Sequence, residues 1–210
     1  VNVKDLKLPK ETEKGRGFEK LVLSPDHKHI LESQVREHFR KRGSQAVDGS
    51  TENDMDLVRG KGLGLIILLR GTEFFIKCYS TRLTNLRGAR SWQTCTAECI
   101  ADLVDKPRYP ITCGDRGSSA EDVEKNLKKH FTLASRWDCM MLLDEADVFL
   151  AKRKLEDLQR NSIVSVFLRM LEYYKGLLFL TTNRVGTFDE AFTSRVHISL
   201  FCKWSFIPLP

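Results

Sequence analysis

No apolar run in this 210-residue chain reaches the ~18 residues that a membrane-spanning helix needs, so no helical span is expected. The opening stretch VNVKDLKLPKETEKGRG lacks the apolar core of a secretory signal. It also lacks the Arg-rich, acid-poor character of a transit peptide. The chain starts on Val1, as a fragment or a processed form would. None of the six cysteines (Cys78, Cys95, Cys99, Cys113, Cys139 and Cys202) belongs to a C-x-x-C pair. Cys95 and Cys99 are four apart, but no His/Cys pair completes a zinc set. Reduced, structural thiols in an intracellular protein are expected.

A broad basic face is also lacking. The net charge of +6 suggests an acidic partner, yet residues 1–60 are net +1 and residues 95–210 are net 0. Residues 61–94 alone carry six Lys/Arg against one acid, so the excess is one short stretch. A nucleic-acid footprint should be a face of the fold, which argues against a nucleic-acid binder. What remains is ordinary: 41% apolar and 30% charged residues, the make-up of a globular protein with one domain and an appendage.

Residues 1–55 read as a polar N-terminal extension and linker. Within it Phe18–Leu23 (FEKLVL) predicts a short strand, and Asp26–Phe39 a helix with a partial stripe of Ile30, Val35 and Phe39. Arg42–Asp56 is rich in Gly, Ser, Asp and Asn and predicts a loop. Residues 56–200 read as a core. Leu63–Leu69 is a continuous apolar run, as in a strand buried on both faces. Further strands are predicted at Arg108–Cys113, Cys139–Leu143, Leu177–Thr182 and Val196–Leu200. Helical patterns lie between them. Thr94–Val104 carries Cys95, Cys99, Ile100 and Leu103 on one side. Ser119–Trp137 opens with a Ser119/Asp122 capping box and has the stripe Val123, Leu127, Phe131, Ala134. Leu155–Tyr174 turns Ile163, Phe167, Met170, Leu171 and Tyr174 inward, with Gly176 as a stop. Alternating strands and helices predict an α/β fold with a parallel sheet and right-handed crossovers.

Three strand ends carry chemistry. Met140–Leu143 runs into Asp144-Glu145, and ligand sites in open α/β sheets lie beyond the carboxyl ends of strands. There Asp144 is placed to hold Mg²⁺, through water, and Glu145 to polarise an attacking water. An acidic turn after a core strand is the plain alternative. The strand Leu177–Thr182 ends on Asn183, whose amide can orient a water against a γ-phosphate. A turn-forming Asn would look the same. Thr193-Ser194-Arg195 puts a basic side chain before the last strand, either on a solvated surface or reaching a phosphate across a subunit boundary.

In this order and spacing, strand–Asp–Glu, strand–Thr–Asn and DEAFTSR resemble the AAA family of P-loop ATPases, over roughly residues 56–200. Ile111–Leu200 is especially similar to the ATPase core of a group of fungal AAA proteins. The resemblance implies a three-layer P-loop NTPase (AAA+) core, ATP and Mg²⁺ as cofactors, and ATP hydrolysis coupled to remodelling a macromolecular substrate. It implies that Asp144 and Glu145 are the Walker B pair, Asn183 sensor 1, and Arg195 an arginine finger acting on a neighbour's ATP in a homo-oligomeric ring. Asp56 and Val58, in DLVRGKG, resemble the segment that contacts adenine. Asp144-Glu145-Ala146-Asp147 also spells the DEAD-box signature, but no Ser-Ala-Thr motif accompanies it.

The P-loop itself is missing. A G-x-x-x-x-G-K-[ST] loop cradles the phosphates with its backbone N–H groups and neutralises them with its Lys. Gly71-Thr72 resembles its start and Thr94 its end, where a hydroxyl would ligate Mg²⁺. The motif allows five residues between Thr72 and Thr94; this chain has 21, residues 73–93, and no Gly-Lys-Ser/Thr anywhere. The intervening stretch lacks a clear period and carries half of the net charge, while its flanks match. Retained intronic sequence, a misplaced exon boundary or an alternative transcript is expected in preference to a diverged loop. Impaired ATP hydrolysis follows, or a non-catalytic subunit that keeps Asp144, Glu145, Asn183 and Arg195 and serves as a ring partner. The resemblance also implies a helical lid after the last strand, where residues 201–210 form an atypical greasy tail (FCKWSFIPLP).

Overall fold

The structure, a computed structural model, describes residues 16–19, 21, 23–48, 62–71, 75–76, 90–112, 119–150, 157–184, 186 and 188–201. Five strands form one parallel sheet: β1 (Leu65–Arg70), β4 (Arg108–Ile111), β5 (Met140–Leu143), β6 (Leu177–Thr182) and β7 (Ile198–Phe201), in the order β4-β5-β6-β1-β7. Two short strands, β2 (Phe75–Ile76) and β3 (Arg90–Ser91), pair antiparallel as a separate ribbon. The helices are α1 (Arg16–Glu19), α2 (Pro25–Asp48), α3 (Trp92–Leu103), α4 (Ala120–Arg136), α5 (Asp147–Leu150), α6 (Leu158–Tyr173) and α7 (Glu190–Thr193).

Strand side chains alternate between faces, so one apolar run feeds two cores. Ile66 and Leu68 of β1, Met141 and Leu143 of β5, and Leu178 and Leu180 of β6 face α4 and α6. Leu65, Ile67 and Leu69, with Met140, Leu142, Leu177 and Phe179, face α3, α2 and α1. This is the α/β parallel-sheet arrangement that the alternating strands and helices predict, with the three layers that the family resemblance implies. Phe149 and Phe167 stack at 4.0 Å between ring centroids in the first core.

The α4 prediction matches closely. Ser119 Oγ accepts the Asp122 N–H at 3.1 Å, and Val123, Leu127, Phe131 and Ala134 are buried. Elsewhere tertiary packing overrode the pattern. The predicted strand at Phe18–Leu23 begins inside α1, whose Phe18 is buried against α3. The predicted loop from Arg42 is helical as far as Asp48, as part of α2. There Arg42 lies 3.3 Å from Asp138, and the Lys106 ammonium sits 5.0 Å from the Phe39 ring, contacts that a one-dimensional pattern does not contain. Along α6 the stripe is rotated: Val164, Phe167, Leu168 and Leu171 are buried, while Ile163 and Met170 are only partly so. Helix α3 is buried nearly all round, because α1 and α2 cover the side turned away from the sheet.

Candidate nucleotide site

The site grows from the register of β5, β6 and β1. Leu143 pairs with Leu180, and Arg70 with Thr182, so the carboxyl ends of the three strands lie side by side. Alternation sends Asp144 and Thr181 to the face that carries α3. There the Thr181 hydroxyl, 2% exposed, donates to Asp144 Oδ1 and accepts the Glu145 N–H at 3.0 Å. Glu145 itself is exposed and sits at φ +54°, left-handed backbone that an ordinary residue adopts only under constraint. One hydroxyl therefore holds the half-buried Asp144 in place and fixes the turn that swings Glu145 away from it. On the opposite face the Thr182 hydroxyl donates to Asp147 and accepts the Arg184 N–H at 3.1 Å.

Gly71, at φ +154°, turns the chain off β1, and its N–H donates to the Thr182 carbonyl at 3.2 Å. That φ is open to glycine and costly for other residues. Helix α3 begins at Trp92, two residues before the predicted start. Its N-cap is Ser91, whose Oγ accepts the Thr94 N–H at 3.4 Å and lies 3.3 Å from Thr94 Oγ1. The ends of the odd segment are thus built into the fold: Ser91 both pairs with Phe75 and caps α3.

Gln93 joins the pieces. Its Nε2 donates to the Gly71 carbonyl at 3.2 Å and to Asn183 Oδ1 at 3.1 Å. Of the sequence candidates, Asp144 and Glu145 meet through Thr181, and Gly71 and Asn183 meet through Gln93, with Thr94 the next residue along α3. Arg195 is not among them. It precedes β7, where the His197 N–H reaches the Ile66 carbonyl near the amino end of β1. From the level of Ile66 to that of Leu69, beside Thr181, is roughly 10 Å along the strand. Arg195 instead donates to Glu172 Oε1 and to the Ala191 carbonyl, each at 2.5 Å. Asp56, Val58 and Thr72 lie outside the described residues.

Thr181 and Gln93 were missed as site residues. Thr181 stands in a motif already singled out, two residues before Asn183, but nothing in one dimension shows which neighbour its hydroxyl serves. Gln93 precedes Thr94 and falls in the stretch read as foreign.

The donor set suits a magnesium nucleotide in part. Carboxylate and hydroxyl oxygens are the hard ligands Mg²⁺ takes, and the N-terminus of α3 favours an anion. The neutral Gln93 is the feature that fits a polyphosphate poorly, since it brings no positive charge.

A parallel sheet with helices on both faces, and two adjacent carboxylates and an amide at its carboxyl edge, defines an α/β nucleotide-binding fold of the P-loop NTPase type. The family model for AAA, "ATPase family associated with various cellular activities", matches residues 93–203, and this chain belongs to that family. The fold is similar to a chain of the HORMA:CdnC:Trip13 complex of E. coli MS115-1, 17% identical with a TM-score of 0.62, over 96% of this chain and 71% of that one. It is also similar to the FIGL-1 AAA domain in complex with ADP, 18% identical with a TM-score of 0.58, over 93% of this chain and 57% of that one. The FIGL-1 AAA domain in a second structure gives the same identity and TM-score over 56% of its length, so this chain spans little more than half of those domains. No curated protein matches the chain. Among the described residues, no helix is long and apolar enough to cross a membrane.

Proposed function

We propose that this chain is a subunit of an AAA-type ATPase that binds MgATP at the carboxyl edge of β1, β5 and β6. Its family activity would be ATP hydrolysis coupled to remodelling a macromolecular substrate, with turnover by this chain weak. The observation that carries the reading is the Thr181 hydroxyl, which holds Asp144 and the Glu145 turn together beside Asn183 and the N-terminus of α3. In this reading Asp144 and the Thr94 hydroxyl hold Mg²⁺, and Glu145, exposed and turned away, polarises the attacking water. Asn183 orients that water, Gly71 and Thr72 begin the phosphate loop, and Asp56 and Val58 line the adenine. Bound Mg²⁺ would supply charge neutralisation at the phosphates.

Arg195 acts on a neighbour's nucleotide in a head-to-tail ring. Its place toward the other edge of the sheet, tied to Glu172, supports action between subunits over action on its own site. The E. coli MS115-1 neighbour, part of a multi-protein complex, agrees with a macromolecular partner. A second reading, a non-catalytic ring partner that lends Arg195 to intact subunits, is favoured by the neutral Gln93 at the phosphate-binding position.

The test is MgATP binding and steady-state hydrolysis by the full chain and by Glu145→Gln. The ATPase reading expects measurable binding and a turnover that Glu145→Gln lowers by roughly 10²-fold or more, the size of losing a general base. Binding with no turnover in either protein supports the ring-partner reading. Turnover equal in both proteins would refute the role given to Glu145.

A further inference from the structure

Helix α4 separates its charges along its length. Glu121, Asp122 and Glu124 lie near its start, while residues 125–136 carry Lys125, Lys128, Lys129 and Arg136 and no acid. At about 100° per residue, these four cations and Thr132 fall on the side opposite the buried Val123, Leu127, Phe131 and Ala134, and all five are exposed. Most of the acids around this stripe are engaged elsewhere. Asp122 accepts the Ser119 hydroxyl at 2.8 Å. Glu124, one turn before Lys128, turns to α6 and pairs with Arg169 at 2.6 Å. Asp138, just past the helix, holds Lys106 and lies 3.3 Å from Arg42. Glu121 lies a turn before Lys125, at the amino end of the stripe. Among the described residues, no ion pair reaches Lys125, Lys128, Lys129 or Arg136. On α2, by contrast, Arg36 pairs with Glu32 at 2.9 Å and Arg40 with Glu37 at 2.7 Å.

The helix macrodipole favours cations in the last turn, which accounts for Arg136. It does not account for Lys125, Lys128 and Lys129, about two to three turns earlier. Like charges three and four residues apart repel, as at Lys125/Lys128 and Lys125/Lys129, and an anionic partner would relieve that repulsion. From Lys125 to Arg136 is roughly 16 Å along the axis, the length of about five residues of extended chain. Single-stranded nucleic acid binders add aromatic side chains on which bases stack, and this stripe holds none. We propose that the outward face of α4 docks an extended acidic segment of a protein partner through Lys125, Lys128, Lys129 and Arg136. The helix leads from β4 to the amino end of β5, so the stripe runs away from the nucleotide site, and docking there does not require nucleotide.

The experiment is fluorescence anisotropy of labelled hexaglutamate, with labelled hexaserine as the blank, titrated with the full chain. The proteins are wild type, Lys128→Glu/Lys129→Glu, and Arg36→Glu/Arg40→Glu, which changes the net charge equally on α2. Thermal melts control for folding. Wild type is expected to bind hexaglutamate, more weakly as salt is raised. The α4 reversal should weaken binding at least about tenfold, since it sets like charges against the peptide, and the α2 reversal by less than about threefold. If the α4 reversal does not fold, Lys128→Gln/Lys129→Gln removes the same cations and is expected to weaken binding in the same direction. Equal losses in the α4 and α2 variants would reduce the effect to net charge and overturn the docking surface. No binding by folded wild type overturns it as well. Single-stranded DNA bound more tightly than hexaglutamate, with the same sensitivity to Lys128 and Lys129, overturns the acidic-peptide partner in favour of nucleic acid.

Discussion

Replacing Thr181 by Val removes one hydroxyl and leaves the shape of the side chain nearly unchanged. The hydroxyl serves Asp144 Oδ1 as donor and the Glu145 N–H as acceptor, at a residue that is 2% exposed. A hydrogen bond to an ionised carboxylate contributes ~1.5–3 kcal/mol, and a neutral one ~1 kcal/mol. The Glu145 turn at φ +54° stores a further ~1–3 kcal/mol, which persists only while neighbours hold the turn. Water partly replaces the lost partners, because Asp144 is half-buried and Glu145 exposed. Relaxation of the turn returns some of the stored strain. The net cost of Thr181→Val is therefore about 2–3 kcal/mol, below the sum of the two bonds. With a urea slope of roughly 2–3 kcal/mol/M, the unfolding midpoint should fall by about 1 M. Thr181→Ser keeps the hydroxyl and should lose less than half as much. In a double-mutant cycle, Asp144→Asn should cost less in the Val background than in wild type, because the bond it weakens is already gone. A midpoint for Thr181→Val within ~0.2 M of wild type would refute the reasoning. So would Thr181→Ser falling as far as Val.

Gly64→Ala tests a close approach and needs no special backbone angle: its Cβ would stand 2.2 Å from the Tyr174 carbonyl oxygen. The start of β1 must then shift, at ~1–3 kcal/mol, which a thermal melt would show as a lower Tm; an unchanged Tm would deny the contact. Stability should also depend on pH through His38. Burial, helped by the nearby Arg42 guanidinium, pushes its pKa down from 6.5 to about 4. The unfolded chain then binds the extra proton between those values, so this contribution is complete above pH 6.5 and is lost as the pH falls toward 4. After allowance for solvent screening it amounts to on the order of 1–2 kcal/mol. Urea midpoints across that range should show the slope, and His38→Gln should remove most of it.

Much of the architecture was legible because burial on both faces leaves a local trace. Leu177–Thr182 reads as a strand from its apolar run alone, and α4 reads from its cap and stripe. The predictions failed where partners distant in sequence decide. Phe18 belongs to α1 because α3 is there to cover it, and α2 continues through Arg42 because Asp138 and Lys106 lie against it. The rotated stripe of α6 has the same origin, since α4 and the sheet choose which of its apolar residues are buried.

The site divides in the same way. Asp144, Glu145 and Asn183 could be named from the chain, because Asp144 and Asn183 directly follow apolar strands, Glu145 comes next after Asp144, and strand ends in a parallel sheet share one edge. The sequence by itself determined the family, the parallel sheet and these strand-end residues, all of which follow from order and spacing. Tertiary structure alone decided what the residues do to one another. It set Thr181 between Asp144 and Glu145, put Gln93 between Gly71 and Asn183, and carried Arg195 toward the other edge of the sheet. Hydrogen bonds between residues 37 or 90 positions apart depend on strand register and helix placement, and no local pattern encodes those.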